Sequence, residues 1–399
     1  MQAKSAPSIR RLTLHRVAVP LKKPVKHASH ERTESENLIV RVDLDDGSVG
    51  FGEGVPRDYV TGETIETAFA ALARADWPRA IGRPADFAEL VKTLEGLSLA
   101  EIDADPRGMF GNAARCALEL AVLDAYGRAF GKSLGDAVGL VDAPGLERFD
   151  RPRPVRYSAA ITAESKRREI VSAVKFRLYG FRDVKMKVGV AGQDDPARLE
   201  RVRRVLGRRV DVRIDANEAW RADELIDRVA PLLRFRPSLL EQPVPHAEVD
   251  ALAELRPRLG LPVMLDESLC GLPDGETAVA RGTADFFNVR LSKCGGLVPS
   301  LRLIALARRV GLGVQLGCHP GETAILSAAG RHVACRVDGI RHLEGSYDRH
   351  ILRANVTRDD LTFGYGGRAR PIAGPGLGVA VDPEMLAAMT TETREIDHG

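Results

Sequence analysis

Five residues in the second half of the chain have the types and spacing for chemistry: Lys185 and Lys187, then Asp215, Glu241 and Asp266. The lysines lie in Asp183-Val-Lys-Met-Lys-Val-Gly189, where charged and apolar residues alternate. A period of two is the pattern of a strand with one polar and one apolar face, so Lys185 and Lys187 point the same way. Two ammonium groups on one face repel each other, and crowding or burial lowers a lysine pKa toward the range where the neutral amine accepts a proton. The plainer alternative is an exposed edge strand with solubilising lysines. The acids weigh against it. They close Val212-Arg-Ile-Asp215, Leu239-Leu-Glu241 and Val263-Met-Leu-Asp266, at spacings of 26 and 25 residues. One βα unit has that length, so three successive strands present three carboxylates at one rim. Each alone reads equally well as a helix N-cap, but capping does not impose a regular repeat. Three oxygen ligands on a concave surface suit Mg²⁺, whose other positions go to water or substrate.

Such a rim needs a scaffold, and the chain is long enough for one. Its 399 residues, 44% hydrophobic and 28% charged, allow a large core and two domains. A net charge of +3 is too balanced for a nucleic-acid binder. No apolar run approaches the ~20 residues that span a membrane, and the N-terminus lacks a signal-peptide pattern, so a cytoplasmic protein is expected. The five cysteines, Cys116, Cys270, Cys294, Cys318 and Cys335, include no CxxC pair and suggest neither a disulfide framework nor structural zinc.

Residues 8–55 read as β-rich, with alternating stretches at Arg10–Val19 and Glu36–Leu44 and a turn at Asp45-Asp-Gly47. Between the two stretches, Pro20 to Thr33 is polar and reads as a loop, and its His27 and His30 beside lysines suit an anionic ligand. A second loop holds Arg57 and Tyr59. Helical patterns follow at Glu63–Arg74, Asp86–Glu95 and Gly111–Phe130, the last apolar enough for a core helix. Asp142 to Pro154 is linker-like. Eight candidate strands then alternate with helical segments, among them Ala222–Leu233 and Val249–Leu259, over a length right for a parallel βα barrel.

The lysine pair, the three-acid ladder with Asp-Ala-Asn217 and Glu-Gln-Pro243, and Lys293-Cys-Gly-Gly296 together resemble the enolase superfamily, in its muconate cycloisomerase-like branch. The resemblance spans nearly the whole chain. It implies an α/β architecture: an α+β capping domain over residues 1–150, a modified TIM-type βα barrel over 155–354, and a return to the cap over 355–399. It also implies a homo-oligomer, a small-molecule carboxylate substrate and Mg²⁺ held by Asp215, Glu241 and Asp266. Lys187 would remove the α-proton and Lys185 assist it. The chemical need for the metal is general, because an α-carboxylate proton is weakly acidic and the second negative charge must be offset.

One position departs from that branch. Where a second lysine usually ends the sixth strand, this chain has Arg290, in Phe286-Phe-Asn-Val-Arg290. Arginine stays charged and is a poor proton acceptor, so Arg290 reads as an electrostatic clamp. Lys293, beyond the strand, reads as support for the following helix. His319, at the seventh strand end, resembles the catalytic histidine of mandelate racemases, with Glu322 as a candidate orienting partner. Glu344, ending the eighth strand, is a candidate for substrate contact, as are His27, His30, Arg57 and Tyr59. A single lysine base suits cycloisomerisation or elimination. The alternatives are a racemase or epimerase of an amino-acid derivative or hydroxy acid using Lys187 and His319, or an acid-sugar dehydratase. A non-catalytic binding protein fits poorly, since all three acids and both lysines are present.

Overall fold

The computed structural model describes residues 6–26, 31–99, 111–162 and 165–397. The eight expected strands form one parallel sheet in sequence order. They are Ala159–Ile161, Asp183–Lys187, Asp211–Asp215, Leu240–Glu241, Val263–Leu265, Phe286–Val289, Gly313–Leu316 and Ile340–Leu343. The sheet closes where the amide and hydroxyl of Ser158 both donate to the Leu343 carbonyl, at 2.8 and 2.7 Å. Alternation sets which side chains enter the barrel. Val184, Met186, Val212 and Ile214 are fully buried on the apolar face, while Lys185 and Arg213 take the other. Lys185 is only 6% exposed, which removes the edge-strand reading.

Helices Lys166–Leu178, Asp195–Leu206, Leu272–Arg281, Leu297–Arg309 and Ala324–Arg336 provide five of the crossings. The spans 222–233 and 249–259 are not the continuous helices expected. Each is a short α turn, Leu225–Val229 or Leu252–Leu255, flanked by 3-10 turns. Pro231 and Pro257 account for this, since proline lacks the amide and its ring clashes with the preceding turn. Directly after the eighth strand comes a single turn, Asp348–Ile351, in place of a full eighth helix. No helix among the described residues is long and apolar enough to cross a membrane.

Ahead of the barrel, strands Ile9–Lys26, Glu31–Leu44 and Val49–Gly54 form an antiparallel sheet, and the last strand, Thr390–Asp397, pairs with the first. Most of the Pro20–Thr33 stretch, expected as a loop, is instead a hairpin, paired as far as Val25 with Arg32 and Lys26 with Glu31. His27 and His30 lie outside the described residues. The core helix is present as Asn112–Phe130. Gly50, Gly52 and Gly54 explain how closely the third strand lies on it. A Cβ on any of them would overlap the backbone of Ala121, Ala117 or Ala113, one helical turn apart.

That helix also fastens the cap to the barrel. Glu119, wholly buried, accepts from the amides of Leu297 and Val298 at the start of a barrel helix, and pairs with Arg115 at 3.1 Å. Glu53 does the same at the next helix, taking the Thr323 amide and hydroxyl and the Leu326 amide. The apolar surface of the cap helix is thus used within the chain, as expected of a core helix. Glu119→Ala strands Arg115 and two helix amides in a dry seam. It is expected to lower stability by roughly 3–5 kcal/mol, the cost of breaking a buried pair. Urea unfolding measures it, and a change below about 1 kcal/mol would mean that water replaces the carboxylate.

Candidate active site

The strand ends converge beneath the cap. Lys185, on the second strand, sits among three carboxylates: Asp215 at 3.2 Å, Glu241 at 3.3 Å and Glu344 at 3.0 Å. Burial alone would discharge it, but Glu241, Glu344 and Asp215 together hold its pKa well above the ordinary lysine value. Lys185 is therefore held as a cation. Lys187, two residues on at the rim, has the opposite balance. Burial pulls its pKa down, Asp215 only partly opposes this, and Lys185 and Arg290 add to the fall.

Glu344 is less free than a substrate contact needs to be. One oxygen holds Lys185, and the other accepts from Arg213 at 2.8 Å. These cations keep its carboxyl ionised, with a pKa of about 2 despite burial. Arg213 was missed in the sequence, although its place two residues before Asp215 puts it on the same strand face. Asn288, two before Arg290, was missed likewise and donates to Glu241 at 2.8 Å.

The fifth strand end is the most crowded. Arg290 pairs directly with Asp266. Lys293, expected to support the next helix, instead turns inward and is fully buried. It donates to the Asp266 carboxylate at 2.8 Å and to the Asn288 carbonyl at 3.0 Å. Gln242 braces the same turn by accepting from the amides of Asp266 and Ser268. Backbone strain marks the third and fourth exits, where Asn217 and Gln242 have φ of 44° and 33°. In a ring of eight, the second and sixth strands are opposite each other, so Lys187 and Arg290 stand on opposite walls.

His319 is buried at the seventh exit, and its ring nitrogens make no hydrogen bond among the described residues. Glu322 takes the backbone amide of His319 at 3.1 Å, so it does not orient the ring as expected. Burial, with Arg290, Arg57, Lys293 and Arg32 nearby, pushes the His319 pKa well below its ordinary value. Cys318 is buried, and burial raises its thiol pKa, so it is no nucleophile.

The cap closes the mouth from above. The Val55 amide donates to Ser292 at 2.7 Å over the sixth exit, and Asn37 donates to the Gly321 carbonyl at 2.9 Å over the seventh. Leu21 bridges to Leu352 beyond the eighth. Arg57 is buried in this seam, while the Tyr59 hydroxyl accepts from Arg32 at 2.8 Å.

Set against known families, residues 169–385 match the enolase C-terminal domain-like model, and residues 9–139 match the mandelate racemase / muconate lactonizing enzyme N-terminal domain. The chain belongs to the enolase superfamily. Within it, the chain falls in the muconate lactonizing enzyme-like branch, and its named relatives are racemases, epimerases and a cycloisomerase. It is 28% identical over 380 residues to the N-succinyl-L-Arg/Lys racemase of Bacillus cereus, covering 94% of this chain and 96% of that protein. The crystal structure of that racemase superposes with a TM-score of 0.83 over 97% of this chain and 99% of the other. Muconate cycloisomerase 1 of Rhodococcus opacus is 29% identical over 93% of this chain and 95% of its own length. A dipeptide epimerase from Cytophaga hutchinsonii, complexed with Mg and D-Ala-L-Val, has a TM-score of 0.81 at 24% identity, covering 98% of this chain and 100% of that one.

The donor chemistry of this enolase-superfamily site fits Mg²⁺. Glu241 Oε2 is a buried oxygen without a hydrogen-bond partner, a costly state unless a cation takes it, and Asp215 beside it already turns its Oδ2 to a cation, the Lys185 ammonium at 3.2 Å. Asp266 differs from its two companions, since Lys293 and Arg290 already hold it. Among the described residues, ligating groups drawn within 4.8 Å of one another occur instead at Asp183, Asp211 and His342. Those residues lie toward the opposite end of the barrel, where Asp211 pairs with Arg341 and Asp183 with His342, each at 3.2 Å. That end of a barrel serves stability rather than chemistry.

Proposed function

We propose that this protein is a Mg²⁺-dependent enzyme that removes the α-proton of a small carboxylate substrate, with Lys187 as the base. The observation that carries the reading is the split between two lysines on one strand, Lys185 locked as a cation by three carboxylates and Lys187 pushed toward the neutral amine. Asp215, Glu241 and Asp266 are the residues that would hold the ion. When bound, the ion supplies positive charge against the second negative charge of an enediolate. Lys187 takes the proton at Nζ, Lys185 stays charged beside the substrate carboxylate, and Arg290 faces the developing charge from the opposite wall.

The charge balance agrees. Five carboxylates, Asp215, Glu241, Asp266, Glu267 and Glu344, meet five basic side chains, Lys185, Lys187, Arg213, Arg290 and Lys293. A divalent ion and a substrate carboxylate together add one positive charge, and a neutral Lys187 cancels it.

Arg290 cannot return a proton to the opposite face, so the outcome that fits is cycloisomerisation or elimination. The second reading, a racemase or epimerase of an amino-acid derivative or hydroxy acid, is supported by the names of several relatives and by the unbonded His319 ring. Against it, an imidazole with so depressed a pKa holds a proton poorly and makes a weak acid for the second step. The same objection applies to an acid-sugar dehydratase. We further propose that the enzyme is cytoplasmic and works as a homo-oligomer. The reaction is tested by proton NMR in D₂O with Mg²⁺ and a panel of carboxylic acids, where loss of the α-proton signal is the expected result. No exchange from any acid in the panel would count against it.

A further inference from the structure

The cap brings two arginines over the mouth that no carboxylate neutralises. Arg57 is 5% exposed, and its guanidinium donates only to the Glu36 and Pro56 carbonyls and to the Ser35 hydroxyl. Its Nε is buried without a partner. The nearest acids are otherwise engaged. Glu36 is held by Arg16 at 2.5 Å, and Asp58 is turned to the Tyr59 amide. Arg32, from the second strand of the cap hairpin, bonds the Tyr59 hydroxyl and lies over its ring, and it too makes no ion pair among the described residues. Burial and the nearby Arg32 weaken the hold of Arg57 on its own proton.

A buried guanidinium without a counter-charge is costly, and the second cation beside it, on the half-buried Arg32, raises that cost. Arg57 holds the Ser35 hydroxyl at 2.6 Å, and Ser35 packs on Gly321, two residues beyond His319, where Asn37 also bonds the Gly321 carbonyl at 2.9 Å, so Arg57 stands over the seventh strand exit. On the barrel wall, Glu344 is engaged by Lys185 and Arg213 and Asp266 by Arg290 and Lys293, while Asp215 and Glu241 belong to the proposed ion site. A substrate amine at the cap would meet two arginines, with Glu36 and Asp58 turned to other partners. A second carboxylate would find two arginines.

We propose that the substrate is a dianion, with a second carboxylate received by Arg57 and Arg32 at the cap while its α-carboxylate lies at the barrel mouth. This deepens the reaction proposed above and rests on it only for where the α-carboxylate lies. The pattern selects against free dipeptides, whose terminal ammonium would meet Arg57, Arg32 and Arg290. Arginine suits the task because its planar fork grips a carboxylate with two parallel bonds.

The test uses the full-length protein loaded with Mg²⁺ and calorimetric titration. The probes are N-malonyl-, N-succinyl- and N-glutaryl-L-alanine, each against the N-acyl alanine of equal length that ends in methyl, with L-Ala-L-Ala as the amine-bearing control. At least one dicarboxylate is expected to bind tenfold or more tightly than its neutral counterpart and than the dipeptide. Arg32→Gln should remove most of that preference while leaving the fold intact by circular dichroism. Arg57→Met is a second variant with the same expectation. Equal binding across every pair, or a preference unchanged in Arg32→Gln, overturns the proposal. α-Proton exchange is followed on the same probes. A dianion preference without any exchange supports this inference and sinks the reaction, whereas exchange without a dianion preference does the reverse.

Discussion

Lys187→Ala is expected to reduce α-proton exchange into solvent by about 10²–10⁴-fold, the usual share of a positioned general base. Mg²⁺ binding should survive, because Lys187 is not among the proposed ligands. Lys187→Arg should be nearly as inactive as the alanine variant, since an arginine in that place keeps charge and length but cannot become the free base. This comparison separates proton transfer from mere charge. The dependence on pH follows in sign. Only the neutral amine accepts the proton, so the rate rises with pH until Lys187 is deprotonated, and its lowered pKa places that rise below the range of an ordinary lysine. Arginine-variant activity within tenfold of the wild type would assign the base elsewhere.

The second large effect concerns the metal. Asp215 is wholly buried, with one oxygen facing the Lys185 ammonium at 3.2 Å and the other held by the Asn217 amide at 3.0 Å. Asp215→Asn keeps the size and the contact with that amide but removes the charge. Mg²⁺ affinity should fall by more than the roughly 10–100-fold that changes outside the ligand shell produce. The readout is the Mg²⁺-dependent rise in Tm, independent of turnover, and it should vanish at concentrations that saturate the wild type. The same rise in wild type and variant would move the ion away from this rim. The asparagine change also removes one of the three acids that keep Lys185 charged, so the activity of Asp215→Asn alone is a less clean measure.

Much of this site is legible in the sequence because strands impose a period of two and βα units impose a repeat. Those rules place Lys185, Lys187 and the three acids on one rim. The strain at Asn217 and Gln242 falls within the same Asp-Ala-Asn and Glu-Gln-Pro stretches. What was not legible depends on distances between strands. The sequence does not say that Lys293 doubles back onto Asp266, that Arg213 and Glu344 form a chain with Lys185, or that Glu53 and Glu119 cap helices of the other half. A lone lysine after a strand or a lone glutamate in an apolar helix looks the same whether it meets solvent or a buried partner. The hairpin at Pro20–Thr33 was hidden for another reason. Its prolines and charges lower strand propensity, and pairing with a neighbour overrides that preference.

The most direct measurement is the stereochemistry of exchange. Each enantiomer of an acid that the enzyme turns over is incubated in D₂O with Mg²⁺ and wild-type protein, and α-deuterium is followed by NMR. With Lys187 on one wall and an arginine on the other, one enantiomer should exchange and keep its configuration, while its mirror image stays protonated. Comparable exchange of both enantiomers, with interconversion between them, would contradict the single-base account and make His319 the second base.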